Sequence, residues 1–122
     1  DEQTLIMCRA ASDASFEESI PDKLCKEFNA RSNYDGTYPL ASRMYAAREG
    51  SVLSDGLFDK AYEIKEFANF IIHPQNNNNN NKRIKFNFSM QSLNENINEY
   101  LFWTVSIVEE LTKWLDKNNP KQ

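Results

Sequence analysis

The strongest constraint on the fold lies in the last third of the chain, where apolar residues recur at helical spacing over a long stretch. Ser92 and Glu95 stand three positions apart, the capping-box pattern that starts a helix, and Pro120 follows the last apolar residue. We therefore predict a helix of about 25 residues in this region. Its predicted core-facing side consists of Ile97, Leu101, Val105, Val108, Leu111 and Leu115. A helix with such a long apolar side needs other helices to cover it.

Two shorter helices are predicted in the first half of the chain. The first spans about 19–32 and begins with Ser19 as its cap, followed by a proline in the first turn. The second spans about 37–50 and ends at Gly50, which we expect to be a left-handed C-cap. Both carry apolar residues on one face only, which is typical of helices that pack on a shared core.

A third helix is predicted from Ser54 or Asp55 to Pro74. Its apolar residues, bordered by Phe58 and Phe67, are Leu57, Ala61, Ile64, Ala68, Ile71 and Ile72. They cover roughly half of the helix circumference, so we expect this helix to be central in the bundle. Its other side has mixed charges, which we interpret as facing solvent: Asp59, Lys60, Glu63, Lys65 and Glu66.

Two segments leave room for a small sheet. Residues 83–88 alternate apolar and polar side chains, the pattern of a half-buried strand. The apolar stretch 4–8 could pair with it as a second strand, or could form an ordinary first helix. The 122 residues contain only three glycines and four prolines, which favours long helices over a turn-rich β fold. We predict one domain over 1–122, an all-α bundle of four to five helices, with or without a minor two-stranded β-ribbon.

An asparagine tract divides the chain into two unequal parts. Asn76–Asn81 are six consecutive asparagines. Asparagine side chains compete with the backbone for hydrogen bonds and are poor helix formers. We therefore predict a flexible, Asn-rich surface loop over 75–82, of the kind that tolerates insertions.

The two cysteines bear on the cellular compartment. Cys8 and Cys25 lie 17 positions apart. As free thiols they would be small buried side chains of an intracellular protein, in the cytoplasm or nucleus. As a disulfide they would join the first segment to a helix of a secreted protein. Two cysteines and one histidine are too few for a zinc site. Of the two remaining alternatives we favour free thiols.

Charge and motif content argue against several function classes. The net charge is −4, and the one basic cluster, Lys82, Arg83 and Lys85, is too small for tight nucleic-acid binding. No segment has the roughly 18 apolar residues of a membrane span. None of the common catalytic motifs is present, and the single histidine, His73, stands at a predicted helix end where a cation is favourable. We expect no catalytic activity, no metal and no cofactor.

Aromatic residues outside the predicted core faces are the best candidates for function. Phe102 and Trp103 lie off the apolar side of the last helix, and Tyr62 and Phe70 lie off that of the third. Tryptophan and other aromatic residues are enriched at binding hot spots. We therefore predict an interaction domain that binds a partner peptide or protein in a helical groove. The alternatives are a bundle that binds a lipid or another apolar small molecule, and a secreted, disulfide-stapled helical protein that acts at a cell surface.

Overall fold

The structure, a computed structural model, describes residues 2–72 and 90–118. Within these residues it contains five helices and no strand, so the predicted all-α bundle is confirmed. The helices are α1 (Glu2–Ser19), α2 (Asp22–Glu27), α3 (Leu40–Glu49), α4 (Asp55–Ile72) and α5 (Met90–Asn118). The predicted Asn-rich loop over 75–82 and the predicted strand over 83–88 lie outside the described residues, as does His73.

α1 occupies the centre of the bundle, since it packs against α3, α4 and α5. Its buried side includes small polar residues as well as apolar ones: Leu5, Cys8, Ser12, Ser15, Phe16 and Ser19. Four of these six residues, Cys8, Ser12, Ser15 and Ser19, have small side chains. α4 packs against two helices, α1 and α5, as expected for a helix that is apolar over half of its circumference, but α1 has more neighbours than α4.

The start of the chain resolves one of the sequence alternatives. Residues 4–8 form part of α1, so the alternative in which this segment is one strand of a β-ribbon is wrong. Ser19, predicted to cap the following helix, is the last residue of α1. The extended backbone of Pro21 leads into α2 instead, with no side-chain cap, and α2 ends at Glu27 rather than near residue 32.

α3 matches its predicted span closely, although the role of its terminal glycine differs from the prediction. Gly50 is the C-cap with φ −86°, whereas Ser51 adopts the left-handed conformation with φ 56°. A Cβ atom at Gly50 would stand 3.1 Å from both the Phe28 ring and the Ala46 carbonyl oxygen, so only glycine fits there without a small shift of these neighbours. The predicted helix end is therefore correct, and the predicted left-handed cap is wrong.

α4 follows the sequence prediction at its start and along most of its apolar side. The Ser54 hydroxyl accepts a hydrogen bond of 3.3 Å from the Leu57 backbone N–H, as an N-cap does. The predicted face and its two borders are largely buried, in particular Phe58, Ala61, Ile64, Phe67 and Ala68. Ile72, at the end of the helix, is exposed.

The buried side of α5 lies roughly 70° around the helix axis from the predicted core-facing side. This angle follows from the positions that are buried, because consecutive helix residues point about 100° apart. Leu101 and Val105, predicted to face the core, are 42% and 55% exposed. The buried positions are Tyr100, Thr104, Ile107 and Leu111. Ser92 lies inside the helix rather than at its cap, because α5 begins at Met90. The periodicity of α5 and the burial of Leu111 were therefore predicted correctly, and Ile97 packs against the core, but Leu101 and Val105 face away from it.

Both cysteines are buried, free thiols, as favoured from the sequence. The Cys25 S–H lies 4.0 Å from the Ser42 carbonyl oxygen, to which it donates a weak hydrogen bond. Burial raises the pKa of the Cys25 thiol. A buried thiol that keeps its proton is a poor nucleophile, so Cys25 has the environment of a structural residue.

Candidate functional site

A surface groove lies between α3 and α4. α3 packs on α1 and α2, whereas α4 packs on α1 and α5, so the two helices make few contacts with each other. The space left between them measures about 490 Å³. We call it the α3–α4 groove, and its lining residues are Ala41, Met44, Tyr45, Arg48, Phe58, Asp59, Tyr62 and Lys65.

Helical spacing explains why these residues line one groove. Ala41, Tyr45 and Arg48 stand at positions i, i+4 and i+7 of α3, which is one helix face. Phe58 and Lys65 stand seven residues apart on α4, with Tyr62 between them. Seven residues of helix extend for about 10 Å, so the α4 wall of the groove is two turns long.

The groove has an apolar floor and two aromatic walls. Met44 and Phe58 are buried at its base. Tyr45 on α3 and Tyr62 on α4 are 47% and 51% exposed, so each ring presents about half of its surface to solvent. The Tyr62 ring stacks on Phe58 at a centroid distance of 6.5 Å and an interplanar angle of 17°. This contact, between residues four apart on α4, places the Tyr62 ring beside a core residue.

The rim of the groove is charged. The Arg48 guanidinium lies over the Phe58 ring, 5.2 Å from its centroid, in a cation–π contact. Lys65 and Asp59 stand on the α4 side. Among the described residues, none of these three charged groups forms an ion pair, so the lining carries one more positive than negative charge.

Of the aromatic residues predicted as binding positions, Tyr62 lines the groove and Phe102 does not. Phe102 lies on α5, is 68% exposed, and shares the outer side of that helix with Leu101 and Val105. The structure thus separates the two residues into different surfaces. Phe70 is buried, at 5% exposure, although it is not among the described residues that form the core cluster, so it is not an exposed aromatic anchor.

Trp103 is partly buried and packs against the core rather than standing free. Its ring meets Tyr100 edge-on with centroids 5.3 Å apart, and the Lys60 ammonium lies 4.1 Å from the Trp103 ring centroid. Lys60 in turn stands 3.7 Å from the Glu63 carboxylate, to which the Tyr100 hydroxyl donates a hydrogen bond of 3.5 Å. Burial, assisted by the negative charge of Glu63, raises the pKa of Tyr100. These contacts join α4 to α5.

Sequence reasoning missed most of the groove. Tyr45 was not predicted as a binding residue, and Lys65 was predicted only as a solvent-facing charge. Arg48 was not singled out at all. The spacing of Tyr45 and Arg48 was a usable signal for one shared face, but whether that face meets α4 depends on tertiary packing.

Other site types find no support in the described part of the chain. No group of three or more histidine, cysteine, aspartate or glutamate side chains there could hold a metal ion. None of the described helices combines the length and apolar character that crossing a membrane requires. Comparison with protein-family models, curated proteins and solved structures finds no match to this chain.

Proposed function

We propose that this chain is a non-catalytic interaction domain that docks a peptide segment of a partner protein in the α3–α4 groove. The observation that carries the proposal is the pair of half-exposed tyrosines, Tyr45 and Tyr62, on facing helices above an apolar floor. The volume of about 490 Å³ is within the usual range of binding pockets, about 300–1,000 Å³. Such a space accommodates a few side chains of a peptide.

The physical argument rests on how tyrosine contributes to binding. Its ring buries a large area on contact while only two side-chain torsions become fixed, so the entropic cost per unit of area is low. The stacking of Tyr62 on Phe58 restricts that ring before any partner arrives. Tyr45 and Tyr62 are therefore suited to act as anchors, with Met44 and Phe58 beneath them.

The open shape of the groove favours a peptide over a lipid. An apolar small molecule gains most from a site that encloses it and excludes water. This groove is open along the surface and has charged side chains at its rim, including Arg48 and Lys65. A peptide can place apolar side chains on the floor while its backbone and polar groups stay at the solvated edge.

Selection from a random peptide display library tests the proposal even though the partner is unidentified. The purified chain serves as bait, and selected peptides are then measured against the Tyr45→Ala/Tyr62→Ala double variant. We expect peptides that bind the unmodified chain and lose at least about tenfold in affinity for the double variant, since a truncated anchor costs 2 kcal/mol or more.

Phe102→Ala is the matched control, because it also removes an exposed aromatic ring but lies outside the groove. Thermal unfolding of each variant verifies that the fold is intact. If no peptide is enriched, or if the selected peptides bind the double variant as tightly as the unmodified chain, the proposed function is wrong.

A further inference from the structure

We propose that the α3–α4 groove selects acidic segments, in which apolar anchor residues are flanked by aspartate or glutamate. This inference rests on the proposed function and specifies the class of partner. The chain as a whole has a net charge of −4, yet the groove carries two cations and one carboxylate. The charge of the groove lining is therefore opposite in sign to the net charge of the chain.

Arg48 is the better placed of the two cations. Its position over the Phe58 ring restricts the guanidinium, which lowers the entropy lost when it binds a partner. Its N–H donors form no hydrogen bond with any described residue. A guanidinium with free donors matches the two oxygens of a carboxylate in a bidentate contact.

Lys65 supplies a second positive position farther along the groove. It stands seven residues after Phe58 on α4, which corresponds to about 10 Å along the helix. Arg48 and Lys65 therefore offer two separate positive positions on the lining of the groove. A peptide with acidic residues on both sides of an apolar anchor could meet both cations while its apolar side chains rest on the floor.

Asp59 restricts where along the groove an acidic group of the partner can bind. Its carboxylate lines the same groove and repels an acidic group placed next to it. The acidic groups of the partner are therefore expected at the Arg48 and Lys65 ends, and a polar or basic group is tolerated near Asp59.

Three fluorescein-labelled peptides test the inference by fluorescence anisotropy. All share a Leu-Phe-Leu anchor, which is flanked on both sides by glutamates, by glutamines or by lysines. We expect the glutamate peptide to bind the unmodified chain roughly tenfold more tightly than the lysine peptide, with a smaller difference at high salt. The Lys65→Glu variant should reduce or invert this order, and Arg48→Gln should weaken the glutamate peptide selectively.

Lys26→Glu is the matched control, because it makes the same charge change on an exposed residue of α2, away from the groove. Equal affinity of the three peptides, lost together in Tyr62→Ala, would overturn the acidic preference and leave the peptide-docking function in place. If none of the peptides binds, or if Tyr62→Ala and Lys65→Glu change nothing, both proposals fail. Thermal unfolding of Lys65→Glu, with Lys65→Gln as a milder substitute, separates loss of binding from loss of fold.

Discussion

Two neighbouring aromatic residues of α5 differ sharply in their surroundings. Phe102 is largely exposed, whereas the Trp103 ring packs on Tyr100 and beneath the Lys60 ammonium. On a helix, consecutive residues point about 100° apart, so a single step along the chain is enough to move a side chain from solvent to core. Both residues were predicted from the sequence to be surface anchors, and only Phe102 has that exposure.

This difference gives the first prediction. Trp103→Ala should lower the free energy of unfolding by roughly 2 kcal/mol or more, since it removes ring packing and leaves a partial cavity. Phe102→Ala should change it by no more than about 0.5 kcal/mol. Urea unfolding of the two variants measures both values. Similar losses in the two variants would contradict the orientation of α5.

Tyr100 makes the stability of the fold sensitive to high pH. Its pKa is raised in the folded state by burial and by the nearby Glu63 carboxylate. The folded chain therefore keeps the phenol proton at pH values where the unfolded chain, with an ordinary pKa of about 10, releases it. The stabilisation is complete below about pH 10 and is lost as the pH rises from there toward the folded-state pKa.

We predict that Tyr100→Phe removes part of the stability loss between about pH 10 and 11. The free energy of unfolding, measured in urea at several pH values, should fall less steeply in this variant than in the unmodified chain. Tyr34→Phe is the control, because Tyr34 is fully exposed. An unchanged slope in Tyr100→Phe would show that Tyr100 does not contribute to the alkaline instability.

At the scale of elements, α5 has apolar residues on two sides. One side contains Ile107 and Leu111, which are buried against the other helices. The other side contains Leu101, Phe102 and Val105, which are exposed. Counting apolar positions cannot decide between two such sides. The buried side also contains Tyr100 and Thr104, whose polar groups made that side a weaker candidate for the core.

The two sides of α5 predict opposite results for similar truncations. Ile107→Ala should destabilise the chain by about 2–5 kcal/mol, because Ile107 is completely buried. Leu101→Ala should cost less than about 1 kcal/mol, because 42% of that side chain is already exposed. Chemical denaturation compares them directly, and a larger loss at Leu101 would restore the orientation predicted from the sequence.

The buried side of α1 was not identified from apolar periodicity for a different reason. Its buried positions include Ser12, Ser15 and Ser19, which an apolar pattern treats as solvent-facing. No buried side-chain polar atom among the described residues lacks a hydrogen-bond partner, so burying these hydroxyls leaves none unsatisfied. A helix that packs through small polar side chains has little hydrophobic periodicity, although its central position makes it essential to the bundle.

At the scale of the whole molecule, the groove exists because of how the helices share neighbours. α3 and α4 both pack on α1, but each has a different second partner, so they diverge from each other. The residues that line the groove come from both helices. The same packing encloses both cysteines, Cys8 in α1 and Cys25 in α2.

We predict that both thiols are protected from modification until the bundle opens. Maleimide labelling followed by intact-mass measurement should show little modification under native conditions, and modification of both cysteines in denaturant. The labelling rate should rise in parallel with unfolding as urea is added. Rapid native labelling of either thiol would mean that its helix detaches while the rest of the bundle stays folded.

The sequence by itself determined the helical class and the approximate spans of α3 and α4, because these depend on local periodicity, capping and composition. It did not determine that α1 is central, which side of α5 is buried, or that Tyr45, Arg48, Tyr62 and Lys65 line one groove. Those features depend on which helix faces meet. Burial of a face is decided by the fit of all the helices together, so a partly polar side containing Tyr100 and Thr104 is buried while Leu101 and Val105 remain at the surface.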